Sequence, residues 1–193
     1  MTGTSGSPGA ARLSPAARRD QITAVATRMI DEGGVEALTM TDLATAAGVT
    51  RALVYRYFPG REDVITEVLR RQSVELLAAT APRAGATVGE NLDRALTVYR
   101  DRFARTLERV QDGAGSSTFA AAIAGHARDV QVGRIAAQLV DPGQPGARER
   151  LHAWLMLVED LAPSASPDYV TWCLGALQGL FGRNLDLDRT PAG

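Results

Sequence analysis

The sequence predicts an all-α protein, with three helices forming a small N-terminal domain and a larger helical bundle behind it. Apolar side chains recur at intervals of three and four residues along most of the chain, which is the period of one face of an α-helix. Glycine and proline divide these stretches into separate segments, and the alternation typical of strands is almost absent. We expect a disordered tail over residues 1–13, a first domain over 14–76 and a second domain over 77–193.

The composition excludes several classes of protein. The chain has 193 residues, 45% of them hydrophobic, and a net charge of −1, so it can bury a substantial core. No run approaches the roughly 18 apolar residues of a membrane span, and residues 1–12 lack the basic and apolar regions of a secretory signal. The single cysteine, Cys173, cannot form an intramolecular disulfide, which fits a reducing compartment. We therefore expect a cytoplasmic protein without membrane contact.

The first helix is marked clearly at both ends. Ser14 is a good N-cap residue, and Pro15 follows it at the first helical position, where a proline costs the helix no hydrogen bond. Gly33 and Gly34 then stop the helix. The sequence thus predicts one helix over residues 15–32.

Two short helices and a longer one are predicted next. Thr39 begins a capping-box pattern that opens a helix over about 40–47, with an aspartate in place of the usual glutamate. Gly48 supplies the turn before a second short helix over about 51–57, and a longer helix starts near Arg61. Two short helices joined by a glycine-containing turn are the parts of a helix-turn-helix, here at about 39–58.

The stretch 38–64 closely resembles the signature of the TetR family of transcriptional regulators. It has a helix that begins with threonine, an alanine-rich segment, Gly-Val-Thr, an aromatic-rich helix ending in Tyr-x-Tyr-Phe, and then Arg-Glu-Asp. The resemblance extends over roughly residues 16–76, about a third of the chain. One departure is Val54, where the family usually has leucine.

The resemblance implies a DNA-binding regulator of transcription. A member of this family is expected to be a repressor that binds a palindromic operator in double-stranded DNA as a homodimer and is released by a small effector. Two alternatives stay open: a helix-turn-helix regulator without an effector, and a helical interaction module whose DNA motif is vestigial. Binding to an operator would distinguish the interaction module from both kinds of regulator. Release from DNA by an effector would distinguish the favoured repressor from the regulator without an effector.

Carried over position by position, the resemblance implies DNA contacts on and beside the second short helix. Arg51 is expected to pair with a guanine, and Ala52 is small enough to approach a thymine methyl group. Thr41 begins the bracing helix, where a hydroxyl and a backbone N–H can bind a phosphate. The full set of candidate DNA contacts is Thr41, Thr50, Arg51, Ala52, Tyr55, Arg56, Tyr57 and Arg61.

The last two predicted helices, over about 147–161 and 167–181, are apolar on more than one side. Such breadth indicates burial both against the domain core and against a partner. The resemblance implies that this helix pair forms a four-helix dimer interface, and the alternative is a monomer core. The candidate interface residues are Leu151, Leu155, Gly175, Ala176 and Gly179.

The second domain is also the expected site of the effector. An apolar stripe runs through positions 92, 96, 99, 103 and 107, and a weaker alanine-rich helix is predicted over 118–140. We expect an apolar effector, aromatic or polycyclic, because the arginines from Arg94 to Arg109 are predicted to face solvent. Each candidate side chain has packing in the core as its alternative. The candidates are Tyr99, Phe103, Phe119, His126, Trp154, Met156, Glu159 and Trp172.

No catalytic constellation is visible in the sequence. The two histidines, His126 and His152, lie in no metal-ligand spacing, and no glycine-rich phosphate loop is present. Glu159 and Asp160 are adjacent, so on a helix they point about 100° apart and make a poor acid–base pair. We therefore expect no enzyme activity, no metal and no cofactor.

Overall fold

The structure is a computed structural model, and all of its described regular elements are helical. They are α1 (Pro15–Gly33), a short 3₁₀ turn (Val35–Ala37), α2 (Met40–Ala46), α3 (Arg51–Tyr57), α4 (Arg61–Ala79), α5 (Val88–Val98), a π-helical turn (Tyr99–Phe103), α6 (Thr118–Leu139), α7 (Ala147–Leu161) and α8 (Tyr169–Phe181). The described residues are 13–104, 118–139, 145–162, 166–182 and 185–190, with side chains described in α6 from residue 125. The predicted tail (but for Leu13) and Leu107 lie outside these residues. The all-α prediction is confirmed.

Side-chain caps fix where the N-terminal helices begin. The hydroxyl of Ser14 accepts a hydrogen bond from the Ala17 amide at 3.2 Å, and the hydroxyl of Thr39 accepts one from the Asp42 amide at 3.1 Å. Thr50 caps α3 in the same way. These bonds satisfy amides that have no partner within the helix. The starts predicted at Ser14 and Thr39 are therefore confirmed.

Helices α1 to α4 share one apolar core. Ile22 of α1, Leu43 of α2, Val54 of α3 and Ile65 of α4 are each fully buried or nearly so, and all four belong to one cluster. Phe103 also belongs to this cluster, although it lies far along the chain. Helix α3 is thereby held by its inner face, which leaves its outer face exposed.

A second core lies among α5, α6, α7 and α8. Trp154 of α7 donates a hydrogen bond from its indole N–H to the Cys173 carbonyl of α8 at 2.7 Å. The Tyr169 hydroxyl of α8 donates to the Val158 carbonyl of α7 at 3.1 Å. Both aromatic side chains are buried, and burial raises the pKa of Tyr169. Helices α7 and α8 are therefore joined by packing and by two buried hydrogen bonds.

Helix α4 belongs to the first core and packs against a helix of the second. Its first half buries Val64, Ile65 and Val68 in the N-terminal cluster, while its last turns pack along α6. The length of α4 provides a continuous helical connection between the two cores.

Among the described residues, no helix is both long enough and apolar enough to cross a membrane.

Candidate nucleic-acid interface and ligand cavity

The turn between α2 and α3 has the geometry that a helix-turn-helix requires. Gly48 adopts a φ of 65°, a left-handed conformation that residues with a Cβ rarely adopt. The Val49 amide donates to the Ala44 carbonyl at 3.0 Å, and the side-chain amide of Gln21 in α1 donates to the Ala47 carbonyl at 3.1 Å. The chain therefore reverses tightly after α2, and α1 holds the turn in place.

The outer face of α3 presents four neighbouring side chains to solvent. Arg51, Ala52, Tyr55 and Arg56 are exposed, whereas Val54 on the opposite side is fully buried. The Arg51 guanidinium donates to the Tyr55 hydroxyl at 3.2 Å and lies 5.4 Å from the centre of its ring. Two of the predicted base-reading side chains thus support each other's position before any DNA is bound.

The side chains of the remaining predicted DNA contacts differ in their exposure and in their hydrogen bonds within the chain. Thr41 and Thr50 are exposed, and Tyr57 is half-buried, where it packs against the N-terminal core. Arg61 donates to the carbonyls of Leu38 at 2.9 Å and Val35 at 2.7 Å. These bonds tie α4 to the 3₁₀ turn and give Arg61 a structural role, and its phosphate contact stays a prediction.

A charged network fixes the end of α3 against α1 and α4. Arg19 of α1 donates to the Tyr57 carbonyl at 2.9 Å and lies 4.4 Å from the ring centre of Phe58. The same guanidinium is 3.4 Å from Glu67 of α4. Sequence reasoning missed this role of Arg19, because a pair 48 residues apart leaves no local pattern.

Glu67 is the acceptor at the centre of this network. Its carboxylate is 2.9 Å from both Arg70 and Arg71, and its side chain is only 9% exposed. The hydrogen bond from Arg70, with those from Arg71 and Arg19, lowers the pKa of Glu67 to about 2 despite burial. The ionised form is therefore the stable form in the folded chain.

Replacing Glu67 by glutamine is expected to lower the free energy of unfolding at pH 7 by about 2 kcal/mol, because three guanidinium groups lose a charged acceptor. The folded-state pKa is depressed, so this stabilisation is present above pH 4.5 and is lost as the pH falls toward 2. The wild type should thus lose more stability than Glu67→Gln between pH 5 and pH 2 in urea titrations. Glu75→Gln, at an exposed position of the same helix, is the control and should cost less than about 0.5 kcal/mol. Equal acid sensitivity of Glu67→Gln and the wild type would contradict the network.

A cavity lies between the end of α4 and helices α5, α6 and α7. It leaves about 90 Å³ for the centre of a water-sized sphere. Leu92, Leu96, Ile135, Leu155 and Val158 form its apolar wall. Its polar and aromatic lining consists of Ser73, Thr80, Asn91, Tyr99, Arg128, Gln131, Arg134, Gln138, Trp154 and Glu159.

The structure brings together three of the predicted effector contacts. Tyr99, Trp154 and Glu159 line the cavity. Phe103 does not, because it is buried in the N-terminal core. His126, Met156 and Trp172 are also corrected, since each is exposed and lies away from the cavity. The side chain of Phe119 lies outside the described residues.

The cavity lining contains two arginines that sequence reasoning did not find. Arg128 of α6 forms a two-pronged ion pair with Glu159 of α7. Arg134 of α6 donates to the Leu77 carbonyl near the end of α4. Arg94, predicted to face solvent, is instead half-buried and donates to two carbonyls near the end of α4. The expectation that Arg94 faces solvent is therefore wrong, although Arg94 does not line the cavity as Arg128 and Arg134 do.

The outer face of α7 and α8 carries an apolar surface that the chain leaves uncovered. We define this α7–α8 face by the exposed residues Met156, Leu157, Trp172 and Leu180, with Gly175 and Gly179 among them. A Cβ at either glycine would meet nothing within 4 Å in the chain. Among the other predicted interface residues, Ala176 is half-buried, whereas Leu151 and Leu155 are buried in their own core, so these two leucines are corrected.

Comparison with known proteins gives sequence matches to part of the chain. Residues 22–68 match the family model described as bacterial regulatory proteins, tetR family. The HTH-type transcriptional repressor KstR2 of Mycolicibacterium smegmatis is 38% identical over 56 residues, which are 29% of this chain and 27% of that protein. The HTH-type transcriptional regulator BetI of Rhizobium meliloti is 34% identical over 91 residues, or 45% of each chain. The matches thus span less than half the length of these relatives.

Solved structures resemble nearly the whole chain. A tetR-family transcriptional regulator from Streptomyces coelicolor superposes with a TM-score of 0.74 at 21% identity, covering 87% of this chain and 80% of that one. A putative TetR-family regulator from Rhodococcus sp. gives 0.72 at 18% identity, covering 86% and 100%. These likenesses show the fold, while the family model matches only the N-terminal sequence. Residues 22–68 are thus similar to the DNA-binding region of TetR-family regulators, and the described part of the chain has the fold of solved TetR-family structures.

Proposed function

We propose that the chain is a transcriptional repressor that binds a palindromic operator as a homodimer and leaves it when a small molecule occupies the cavity. The observation that carries the proposal is the outer face of α3, where Arg51, Ala52, Tyr55 and Arg56 are exposed together. An α-helix fits the major groove of B-DNA, where each base pair has a distinct pattern of donors and acceptors. The proposed place of action is the cytoplasm.

The side chains of α3 have distinct proposed roles. Arg51 would donate two hydrogen bonds to a guanine, and Ala52 would contact a thymine methyl group. Tyr55 and Arg56, one turn later, would reach bases or the sugar-phosphate backbone. Backbone contacts that set the register on DNA are proposed for Thr41, Thr50 and Tyr57.

The homodimer is proposed to form through the α7–α8 face. Met156 is 60% exposed and Trp172 is 52% exposed, and large apolar side chains exposed on neighbouring helices are a feature of protein interfaces. Gly175 and Gly179 leave room for a helix of the second copy to approach closely. Two helices from each copy would then form a four-helix interface.

Helix α4 offers a physical route from the cavity to the DNA-reading helix. Its last turns contribute Ser73, Leu76 and Thr80 to the cavity wall, whereas Glu67 is linked through Arg19 to the end of α3. A ligand that binds better to a different position of α4 would shift the population away from the DNA-binding arrangement. The size of this shift is limited by the difference in affinity between the two arrangements.

Selection of binding sites from a pool of random duplexes at about 150 mM salt tests the proposal. We expect an inverted repeat whose half-site centres lie about 34 Å apart or a multiple of it, because two recognition helices of a symmetric dimer enter successive major grooves. Affinity should also fall steeply with salt, since phosphate contacts release counterions. Recovery of no inverted repeat would contradict the proposed mode of binding.

A further inference from the structure

We propose that the cavity binds a small monoanionic carboxylate, held through its charged end by Arg134 and through an apolar body by the apolar lining from α5 and α7. This inference rests on the proposed function, because it names the chemistry of the molecule that would release the repressor. It replaces the expectation of an apolar effector, aromatic or polycyclic, with that of a small charged one. Three features of the cavity support this inference: its charge balance, its size and its apolar wall.

The charge balance leaves one guanidinium in the cavity without a carboxylate. Arg128 is neutralised by the two-pronged pair with Glu159. Arg134 donates to the Leu77 carbonyl, and no carboxylate of the described residues lies within ion-pair distance of it. The carbonyl end of α4 offsets at most about half a charge. A positive charge therefore remains on the cavity wall.

One unneutralised guanidinium favours a single negative charge. A guanidinium presents a planar fork of donors that matches the two oxygens of a carboxylate. A doubly charged phosphate would need a second free cation, and the other guanidinium of the cavity lining, Arg128, is already paired with Glu159. A neutral ligand would leave the positive charge of Arg134 without compensation in a largely apolar space.

The size of the cavity sets the size of the ligand. About 90 Å³ is open to the centre of a water-sized sphere, and one water needs roughly 10–15 Å³ by this measure. The cavity therefore holds roughly six to nine water-sized groups. Benzoate and hexanoate are of this size, whereas a polycyclic molecule is too large for the cavity in this arrangement.

The apolar body of the ligand has a matching wall. Leu92 and Leu96 of α5 and Leu155 and Val158 of α7 line the cavity with hydrocarbon. Trp154 also lines it and is only 1% exposed. Occupancy would bury apolar surface on both partners, and it would change the surroundings of a tryptophan whose fluorescence can be measured.

The test compares acids with their neutral amides on the full chain. Hexanoate and benzoate are expected to raise the melting temperature and to change the tryptophan fluorescence in a saturable way. Hexanamide and benzamide, which have the same shape without the charge, should bind at least tenfold more weakly. Equal binding of acid and amide, or binding of neither, would overturn the proposal.

Variants of Arg134 locate the charged end. Arg134→Gln is expected to weaken binding of hexanoate at least tenfold, and Arg134→Lys to restore part of it. Arg148→Gln, which removes an exposed arginine of α7 outside the cavity, is the matched control and should bind hexanoate like the wild type. Unchanged binding by a folded Arg134→Gln would overturn the assignment. If that variant fails to fold, the comparison of acid and amide on the wild type still tests whether the cavity binds a carboxylate.

Binding of operator DNA in the absence of any ligand is measured in parallel. Wild-type protein that binds DNA but none of these carboxylates would overturn this inference and leave the proposed DNA binding standing. Protein that binds carboxylates through Arg134 but selects no operator would contradict the proposed function and leave the cavity assignment standing. The two failures are therefore distinguishable.

Discussion

Replacing Arg51 by alanine is expected to cost about 1–3 kcal/mol at each half-site of the preferred operator, which is roughly a five- to 150-fold loss of affinity per half-site. Arg51 is exposed on α3 and donates a hydrogen bond to the hydroxyl of Tyr55, which is also exposed. The variant would therefore lose the two-pronged contact with a guanine without damage to the fold. The stability of the variant should stay within about 0.5 kcal/mol of the wild type. Fluorescence anisotropy with a labelled duplex measures the affinity.

The control for this prediction separates sequence reading from general attraction to DNA. Arg28→Ala removes the same charge from an exposed position of α1. We expect it to change binding little, and to change it equally on the selected duplex and on a scrambled one. Arg51→Ala should lose far more on the selected duplex and should accept other bases at one position. Equal losses of Arg51→Ala on both duplexes would show that Arg51 contacts only phosphate.

Replacing Trp172 by glutamate is expected to convert the dimer into a monomer and to lower operator affinity at least a hundredfold. Exposed aromatic residues at the centre of an interface often contribute 2 kcal/mol or more to association. Burying an unpaired carboxylate there adds a further cost of several kcal/mol. Operator binding should fall although α3 is unchanged, because a monomer contacts only one half-site.

Val74→Glu is the matched control for loss of the dimer. Val74 lies on α4 outside the α7–α8 face and is 56% exposed, close to the 52% of Trp172. Light scattering at micromolar concentration should show a dimer for the wild type and for Val74→Glu, and a monomer for Trp172→Glu. A monomeric wild type, or a Trp172→Glu variant that stays dimeric, would contradict the α7–α8 face as the interface.

The N-terminal helices could be predicted well because their signals are local. Ser14, Thr39 and Gly48 each act on their own few residues, through a cap or a left-handed turn. The register of the family signature then identified the helix whose outer face is exposed. The roles of Arg19 and Arg61 could not be predicted in this way, because their partners are distant in sequence.

The second domain was harder because its helices are apolar on more than one side. Spacing alone could not show that Leu151 and Leu155 face the core while Met156 and Trp172 face outward. The π-helical turn over Tyr99–Phe103 changes the helical phase, and Tyr99 lines the cavity while Phe103 joins the other core. Helix α6 is rich in alanine, so its apolar face was poorly marked and its two cavity arginines were not found.

Sedimentation of the protein with a duplex carrying the selected inverted repeat tests most directly whether a dimer reads two half-sites through α3. We expect two chains on each duplex, and a duplex in which one half-site is scrambled should bind at least a hundredfold more weakly. One chain on each duplex, with equal affinity for the intact and the half-scrambled sites, would contradict this mode of binding.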